Sequence, residues 1–565
     1  MAGAFVIAYD SQPVPCSPNC APRSFRTIPA VVLLILAIPH WVTAQSSGKA
    51  PIYPPIAVTT YHYDNYRTGW NGSESTLTPT QVSGTKFGIL QTVSLDERVD
   101  AQPLVVPGVN VTAGSFQGWH DVVYVATANN TVYMIDADNG TVLWSRNLGN
   151  PVPAIIGCAT VGNVGITSTP VIDTASRTLY IMAYTNDTSG RKYSIHALDL
   201  GSLADNFTPQ VVSASHTLTD GTRFTFDARY QKQRPGLLLA NGNVYAGFGS
   251  FCDGAFNVSR GWLLGWNAAS LTPLPSNHLT DTQATSPHAF FLSSIWMSGY
   301  GLTADDSGNL LFVTGNSDPG TYDGVTNLQE SVVKVSSDLN RVLDFFTPSN
   351  QVSLDQADLD FASGGVMVLP DQPGSIPHLA VAAGKYGTMF LMNEDNLGGY
   401  SPITNHVLGS YSVGGCFCGQ SYFVDPDGAP RVVSSGGTSV MVWKLSTSSL
   451  TLTKVGTAQI SQGQDPGFFT TISSNGTVSP VIWALSHANQ QNIFLYAFDP
   501  DSHPGGVITQ LFQGTAGSWP ISLANANLVP VVANGKVYVA SYKQLTIFGL
   551  SSTTGCGRYG ICITK

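Results

Sequence analysis

The sequence is short of charge. Asp, Glu, Lys and Arg together make up 11 % of 565 residues, where about a quarter is usual. Lys and Arg number only 25 and form no cluster able to neutralise a run of phosphates, which argues against a nucleic-acid partner. The formal net charge of −10 identifies no partner of its own. Several catalytic signatures are missing too. No GxSxG elbow supports an acyl hydrolase, no HExxH supports a zincin, and no GK[ST] completes a phosphate loop. Ala383-Gly384-Lys385-Tyr386-Gly387 comes nearest to the last and reads as a turn between strands. There is no CxxCH for haem. His62, His120, His196, His378, His406 and His487 are isolated, without partners at ligand spacing, and are expected in loops or on the surface. No metal site is expected.

Long apolar runs are also scarce. The exception is IPAVVLLILAIP at residues 28–39, preceded by Arg23 and Arg26 and followed by Val42-Thr43-Ala44. It is shorter than the ~20 residues of a comfortable span and reads as a signal peptide over residues 1–44, with an uncleaved anchor as the alternative. A secreted or extracytoplasmic location follows from that reading. Cleavage would leave Cys158, Cys252, Cys416, Cys418, Cys556 and Cys562. An even number permits disulfides in an exported chain. Cys556 and Cys562 are the first candidate pair. Cys416-Phe417-Cys418 is too tight for a bridge on an extended strand, so distant partners are expected for these two. N-x-S/T sequons fall at Asn71, Asn110, Asn129, Asn139, Asn186, Asn206, Asn257 and Asn475.

What is abundant is turn and strand chemistry. Glycine (57) and proline (34) punctuate a chain with 43 % hydrophobic residues, which suits an all-β protein and not a disordered one. The clearest stretch is VVYVATANNTVYMIDADNGTVLWSRNLG at residues 122–149. Its short apolar runs are separated by Asn-Asn and Asp-Ala-Asp-Asn-Gly, as in antiparallel strands joined by tight turns. A meander of this kind needs neighbours of its own kind to bury its faces. Similar units begin at Gln102, Ser168, Arg234, Gly301, Gly364, near Gln420, ahead of Pro480 and at Leu528. They are longer than the ~40–50 residues of WD40 and kelch repeats. The last unit supplies only three strands. The run from Phe87 to Leu95 (residues 87–95) has no unit of its own and is expected to pair with residues 545–550 as the missing fourth strand.

The expected architecture is a single eight-bladed β-propeller of four-stranded antiparallel blades over residues 87–550, closed by the strand at 87–95. A lead-in at 45–86 precedes it and a Cys-containing tail at 551–565 follows. The lead-in includes His62-Tyr63-Asp64-Asn65-Tyr66-Arg67, expected either to fold over one end of the channel or to form a local structural network. Asp136-Ala137-Asp138-Asn139-Gly140-Thr141 followed by Trp144 resembles the repeat of the pyrroloquinoline-quinone (PQQ) enzymes and their non-enzymatic relatives. Weaker echoes are Leu198-Asp199-Leu200-Gly201 and Phe498-Asp499-Pro500-Asp501. AQPLVV at 101–106, GITSTPVID at 165–173, QRPGLLLANGNVYAGFGS at 233–250 and ANGKVYVAS at 533–541 look like an exported subgroup of that family. The resemblance implies an eight-bladed fold with Trp144 docked between blades. It also raises PQQ with calcium as a cofactor, although this chain has neither an adjacent Cys-Cys pair nor an alignable calcium set.

In a propeller the innermost strands line a channel whose mouth is the usual ligand surface. The candidates there are Gln102, Ser168, Gln233, Arg234, Trp296, Tyr300, Asp360, Gln420 and Asn527, with Trp296, Tyr300 and Trp519 as stacking surfaces. Asp100, Arg234 and Asp360 are the charges expected where the innermost strands open, with a solvated tunnel of paired charges as the alternative to a ligand funnel. The expected function is a binding or scaffold propeller, monomeric, taking a small polar or glycan-like ligand or a protein. A quinoprotein-type oxidoreductase and a carbohydrate-active lyase or hydrolase are the alternatives.

Overall fold

A computed structural model describes residues 54–153, 162–251, 259–284, 292–461, 463–486, 491–503, 505–521 and 525–551. The leader, Cys158, Cys252, Asn257, His487, Cys556 and Cys562 lie outside the described residues.

The chain forms successive antiparallel sheets. Leu104–Val111, Gly118–Ala126, Thr131–Asp136 and Val142–Asn147 pair in that order. The turns follow from side-chain chemistry. Asp136 Oδ1 accepts from the amides of Asp138 (2.9 Å) and Asn139 (3.1 Å), and Gly140 takes φ +74°. This is an Asx turn closed by a residue without a Cβ. Asp138 reaches outward to Lys536 at 2.9 Å.

Both faces of the sheet are buried along Val122–Ala126, which explains why that run is apolar throughout and not alternating. Val122, Tyr124 and Met134 pack with Ile172, Leu179 and Ile181 of the following sheet. Val123, Val125 and Ile135 pack with Tyr538 and Ile547, close to the C-terminus. The period of two therefore divides one strand between two neighbouring sheets.

The same order recurs along the chain, for example in Val366–Val368, Leu379–Ala383, Thr388–Asn393 and Gly409–Ser412. Two such units share a nine-stranded sheet, where a single parallel pair, Thr457 with Val507, joins their outer strands. Phe87–Arg98 pairs with Tyr542–Leu550, from Phe87 opposite Leu550 to Val93 opposite Leu545. That is the partnership expected from the orphan strand. Phe87 packs its ring against Trp483, Phe512 and Phe548.

Trp144 departs from expectation. It lies on the outer strand of its sheet and is 39 % exposed. A Cβ on Gly114 would lie 2.9 Å from its ring, so the indole is covered on one side by a local loop and is not docked between sheets. The deeply buried indoles are Trp262, Trp483 and Trp519. Burial of Trp519 also removes it as a stacking surface for a ligand.

The lead-in acts as a structural network that runs along the first strands of sheet after sheet. Val58 exchanges main-chain hydrogen bonds with Val105 (2.7 and 3.0 Å). The carbonyls of Thr59, Asn65, Tyr66, Thr68 and Gly69 accept from Ile172, Ala304, Val368, Tyr422 and Ile472, at 2.7–3.1 Å. Tyr63 Oη donates to the Val532 carbonyl (3.1 Å) and accepts from its amide (2.7 Å). His62, Tyr63, Arg67 and Gly69 all take positive φ, between 51° and 70°, which coils the segment tightly enough to meet so many strands. The first strands thus converge on one short segment.

Candidate functional site

Arg67 is the hub of that segment. It is fully buried and spends its guanidinium on main-chain carbonyls: Nε on Leu302 (2.7 Å), Nη1 on Tyr61 and Asp64 (both 2.9 Å), and Nη2 on Leu237 (3.3 Å). Nη1 also donates to Thr60 Oγ1 at 2.7 Å. Burial lowers its pKa to about 10 despite the nearby Asp64 carboxylate. His62 stacks on Tyr61, with ring centroids 4.5 Å apart, and burial lowers its pKa to about 3. His62 is therefore a neutral interior group and not a surface one. His120 and His196 are also buried, paired with Asp136 (2.7 Å) and Asp205 (2.9 Å).

Several predicted channel residues turn out to hold this segment. Gln102 Oε1 accepts from the His62 amide (3.0 Å) and its Nε2 donates to the Thr60 carbonyl (3.1 Å). Tyr300 Oη donates to the carbonyls of Arg67 (3.0 Å) and Gln420 (3.3 Å). Gln233 turns back onto the Pro235 carbonyl (2.7 Å). Arg234 donates to the Thr167 carbonyl (2.8 Å), lies against Gly299, and has its pKa lowered by burial while Asp100 opposes that shift. Ser168 Oγ, Gln420 Oε1 and Asn527 Oδ1 are buried without a protein partner. Arg234 and Asp360 do not form a pair: Asp360 is held by Lys385.

The residues around Lys385 form a distinct polar cluster. Lys385 sits in the turn between Leu379–Ala383 and Thr388–Asn393, as the sequence suggested, but its side chain folds inward. Its Nζ contacts Asp360 Oδ2 and lies 3.2 Å from Asp358 Oδ1. It also lies 5.7 Å from the ring centre of Trp296 and 5.6 Å from that of Phe417. The two rings are themselves 5.9 Å apart. Trp296, Lys385 and Phe417 are all partly exposed, while Asp360 is 2 % exposed.

Phe417 is set in place by an unexpected bridge. Cys416 and Cys418 are bonded to each other, with Cα atoms 4.8 Å apart. The expectation of distant partners assumed an extended strand. Instead these residues lie in a bend after Gly409–Ser412, where Gly414 takes φ +83°. The Phe417 amide donates to Pro466 (2.9 Å), and Ser363 Oγ donates to the Cys416 carbonyl (2.7 Å).

Behind Asp360 lies a set of carboxyls the sequence did not flag. Glu330 is fully buried; its Oε2 accepts from the Phe361 amide (2.5 Å) and its Oε1 has no protein partner. Burial first, then the neighbouring Asp360 and Asp355 charges, push its pKa well above the usual carboxylate range. Burial raises Asp355 to about 7 even though Gln329 and Gln351 donate to it. Burial and Asp360 also raise Asp358. Burial opposes the charge on Lys385, but Asp360 and Asp358 outweigh it and raise the ammonium's pKa. The cluster can thus offer two aromatic faces and the Lys385 ammonium at its surface, with buried carboxyls of raised pKa beneath.

No family model matches the chain, and no curated protein matches it. Among solved structures it is similar to a quinohemoprotein alcohol dehydrogenase from Pseudomonas putida HK5, with 12 % identity, 90 % of this chain and 82 % of that one covered, and a TM-score of 0.55. It is also similar to a europium-containing methanol dehydrogenase, with 11 % identity, 87 % and 98 % covered, and a TM-score of 0.56. At such identities the likeness is one of fold, and the fold is a β-propeller.

Proposed function

We propose that the chain is an exported, eight-bladed propeller that binds a small polar or glycan-like ligand at the Trp296–Lys385–Phe417 end. The pairing of Phe87–Arg98 with Tyr542–Leu550 and the convergence of first strands on the lead-in support a closed ring. Because the lead-in occupies the space between those strands, the ligand sits at the mouth and not along an open channel. The observation that carries the reading is the aromatic pair. Two partly exposed rings flank an ion pair, and such sites combine stacking with a few placed polar groups. Binding of neutral and acidic oligosaccharides, measured by array and then by calorimetry, tests it. Trp296→Ala and Phe417→Ala should each weaken a detected ligand by tenfold or more. A ligand bound equally well by both variants, or none across the array, rejects it.

An oxidoreductase with a calcium-held quinone fits these residues poorly. Among the described residues no three His, Cys, Asp or Glu side chains converge to hold a metal ion. A hydrolase or lyase needs a carboxyl within reach of its substrate. Burial raises the pKa of both Glu330 and Asp355, but they are 0 % and 3 % exposed. Among the described residues no helix is long and apolar enough to cross a membrane.

A further inference from the structure

The sequons are not equivalent in the folded chain. Asn71 is 2 % exposed, its Nδ2 donates to the Val532 carbonyl (3.0 Å) and its Oδ1 accepts from the Ser73 amide (2.9 Å). A glycan there would have to displace the lead-in. Asn129 and Asn206 commit their Nδ2 atoms to Asp96 (2.9 Å) and Thr178 (3.0 Å). Asn110, in Asn110-Val111-Thr112, differs from these. It is partly exposed, and Thr112 is exposed. Asn110 stands directly across the Leu104–Val111 and Gly118–Ala126 ladder from Trp119. Directly opposed residues point to the same face, with Cβ atoms ~4.5–5.5 Å apart. Trp119 is 57 % exposed, so a large ring lies open beside the sequon amide. An aromatic face is a natural platform for the apolar side of a pyranose ring.

We propose that Asn110 is an N-glycosylation site whose first N-acetylhexosamine stacks on Trp119. The donor is an oligosaccharide linked to a lipid diphosphate. Asn110 Nδ2 forms a bond to C1 of the reducing-end sugar as the C1–O bond to the diphosphate breaks. The lipid diphosphate leaves with the bonding electrons, and Nδ2 gives up one proton to a base. The inference rests on export into a glycosylating compartment and is independent of the ligand site. The full chain, secreted from a eukaryotic culture, tests it by peptide mapping after enzymatic glycan release in heavy-oxygen water, which marks each formerly occupied Asn. Hydroxyl-radical footprinting of Trp119 then compares the protein with Asn110→Gln. The expected result is an occupied Asn110, an unmarked Asn71, and Trp119 oxidised several-fold faster in Asn110→Gln. An unoccupied Asn110, whatever the state of the other sequons, overturns the proposal. So does equal oxidation of Trp119 in the two proteins.

Discussion

Tyr300 Oη donates to the main-chain carbonyl of Arg67 at 3.0 Å, across 233 positions of sequence. Tyr300 belongs to the set that residue chemistry assigned to a ligand, and Arg67 belongs to the lead-in. Their bond reassigns part of a presumed binding surface to internal support. It also makes the lead-in a test of how the propeller holds together.

Arg67 should be among the most costly residues to replace. Its guanidinium serves four carbonyls of the interior, and each buried acceptor left unmet costs ~1–3 kcal/mol. Arg67→Met should therefore lower stability by roughly 3 kcal/mol or more. Arg67→Lys should recover little, because an ammonium cannot reproduce the planar fork. Guanidinium denaturation midpoints provide the check, and a loss in Arg67→Met within the error of the method contradicts the hub role.

The indoles separate two kinds of tryptophan. Trp483 is fully buried and donates to Ser473 Oγ at 2.8 Å. Trp483→Ala should cost ~3–5 kcal/mol. Trp144→Ala, at a half-exposed outer strand, should cost about 1 kcal/mol or less. Paired urea titrations would decide between this and the inter-blade role suggested by the repeat motif.

Lys385 and Asp360 should behave as a unit. Asp360 is almost wholly buried, with Lys385 as its counter-ion. Removing the ammonium in Lys385→Met leaves a buried charge and should cost ~3 kcal/mol. Adding Asp360→Asn should return much of that loss, a coupling that a double-mutant cycle reads directly. Additive losses would mean that the pair is too well solvated to matter.

Two buried groups should give opposite pH dependences. His62 has a pKa of about 3 in the folded chain against 6.5 ordinarily. Between these values the unfolded chain takes up a proton the folded one refuses, so stability falls as pH drops from about 6.5 towards 3. Asp355 is raised from 3.8 to about 7. Over that window the folded chain keeps a proton the unfolded one releases, so stability falls as pH rises from about 4 to 7. Asp355→Asn should remove the second slope and leave the first. The variant's stability relative to the parent should thus rise by on the order of 2 kcal/mol from about pH 4.5 to pH 8. A flat difference across that range would show that Asp355 titrates normally.

The sheets were legible because their signals are local. Asp136 and Gly140 mark a turn by their own chemistry, and the orphan run from Phe87 could be matched to an incomplete last unit by counting strands. The site was less legible because it depends on how side chains turn. Lys385 was correctly placed in a turn, yet nothing in Ala383-Gly384-Lys385-Tyr386-Gly387 says that its ammonium folds inward beside two rings. Glu330 sits in a polar run whose sequence carries no sign of burial. The Cys416–Cys418 bridge was missed because its feasibility depends on a bend, and the bend depends on the glycines before it. Trp144 shows the converse error, in which a family motif suggested a packing role that the local loop at Gly114 takes over.

The partnership of Phe87–Arg98 with Tyr542–Leu550 sets a schedule for biosynthesis. At about 5–20 residues per second, roughly half a minute to a minute and a half separates the two strands as they emerge from the ribosome. Throughout that interval the earlier strand has an open edge and an unsheltered Phe87, the kind of surface on which nascent chains associate. A premature stop shortly before Tyr542 would make that exposure permanent while sparing nearly all of the remaining sequence. Quality control of this protein therefore turns on the strand Tyr542–Leu550, and truncations just before it should be cleared or aggregate as severely as early ones.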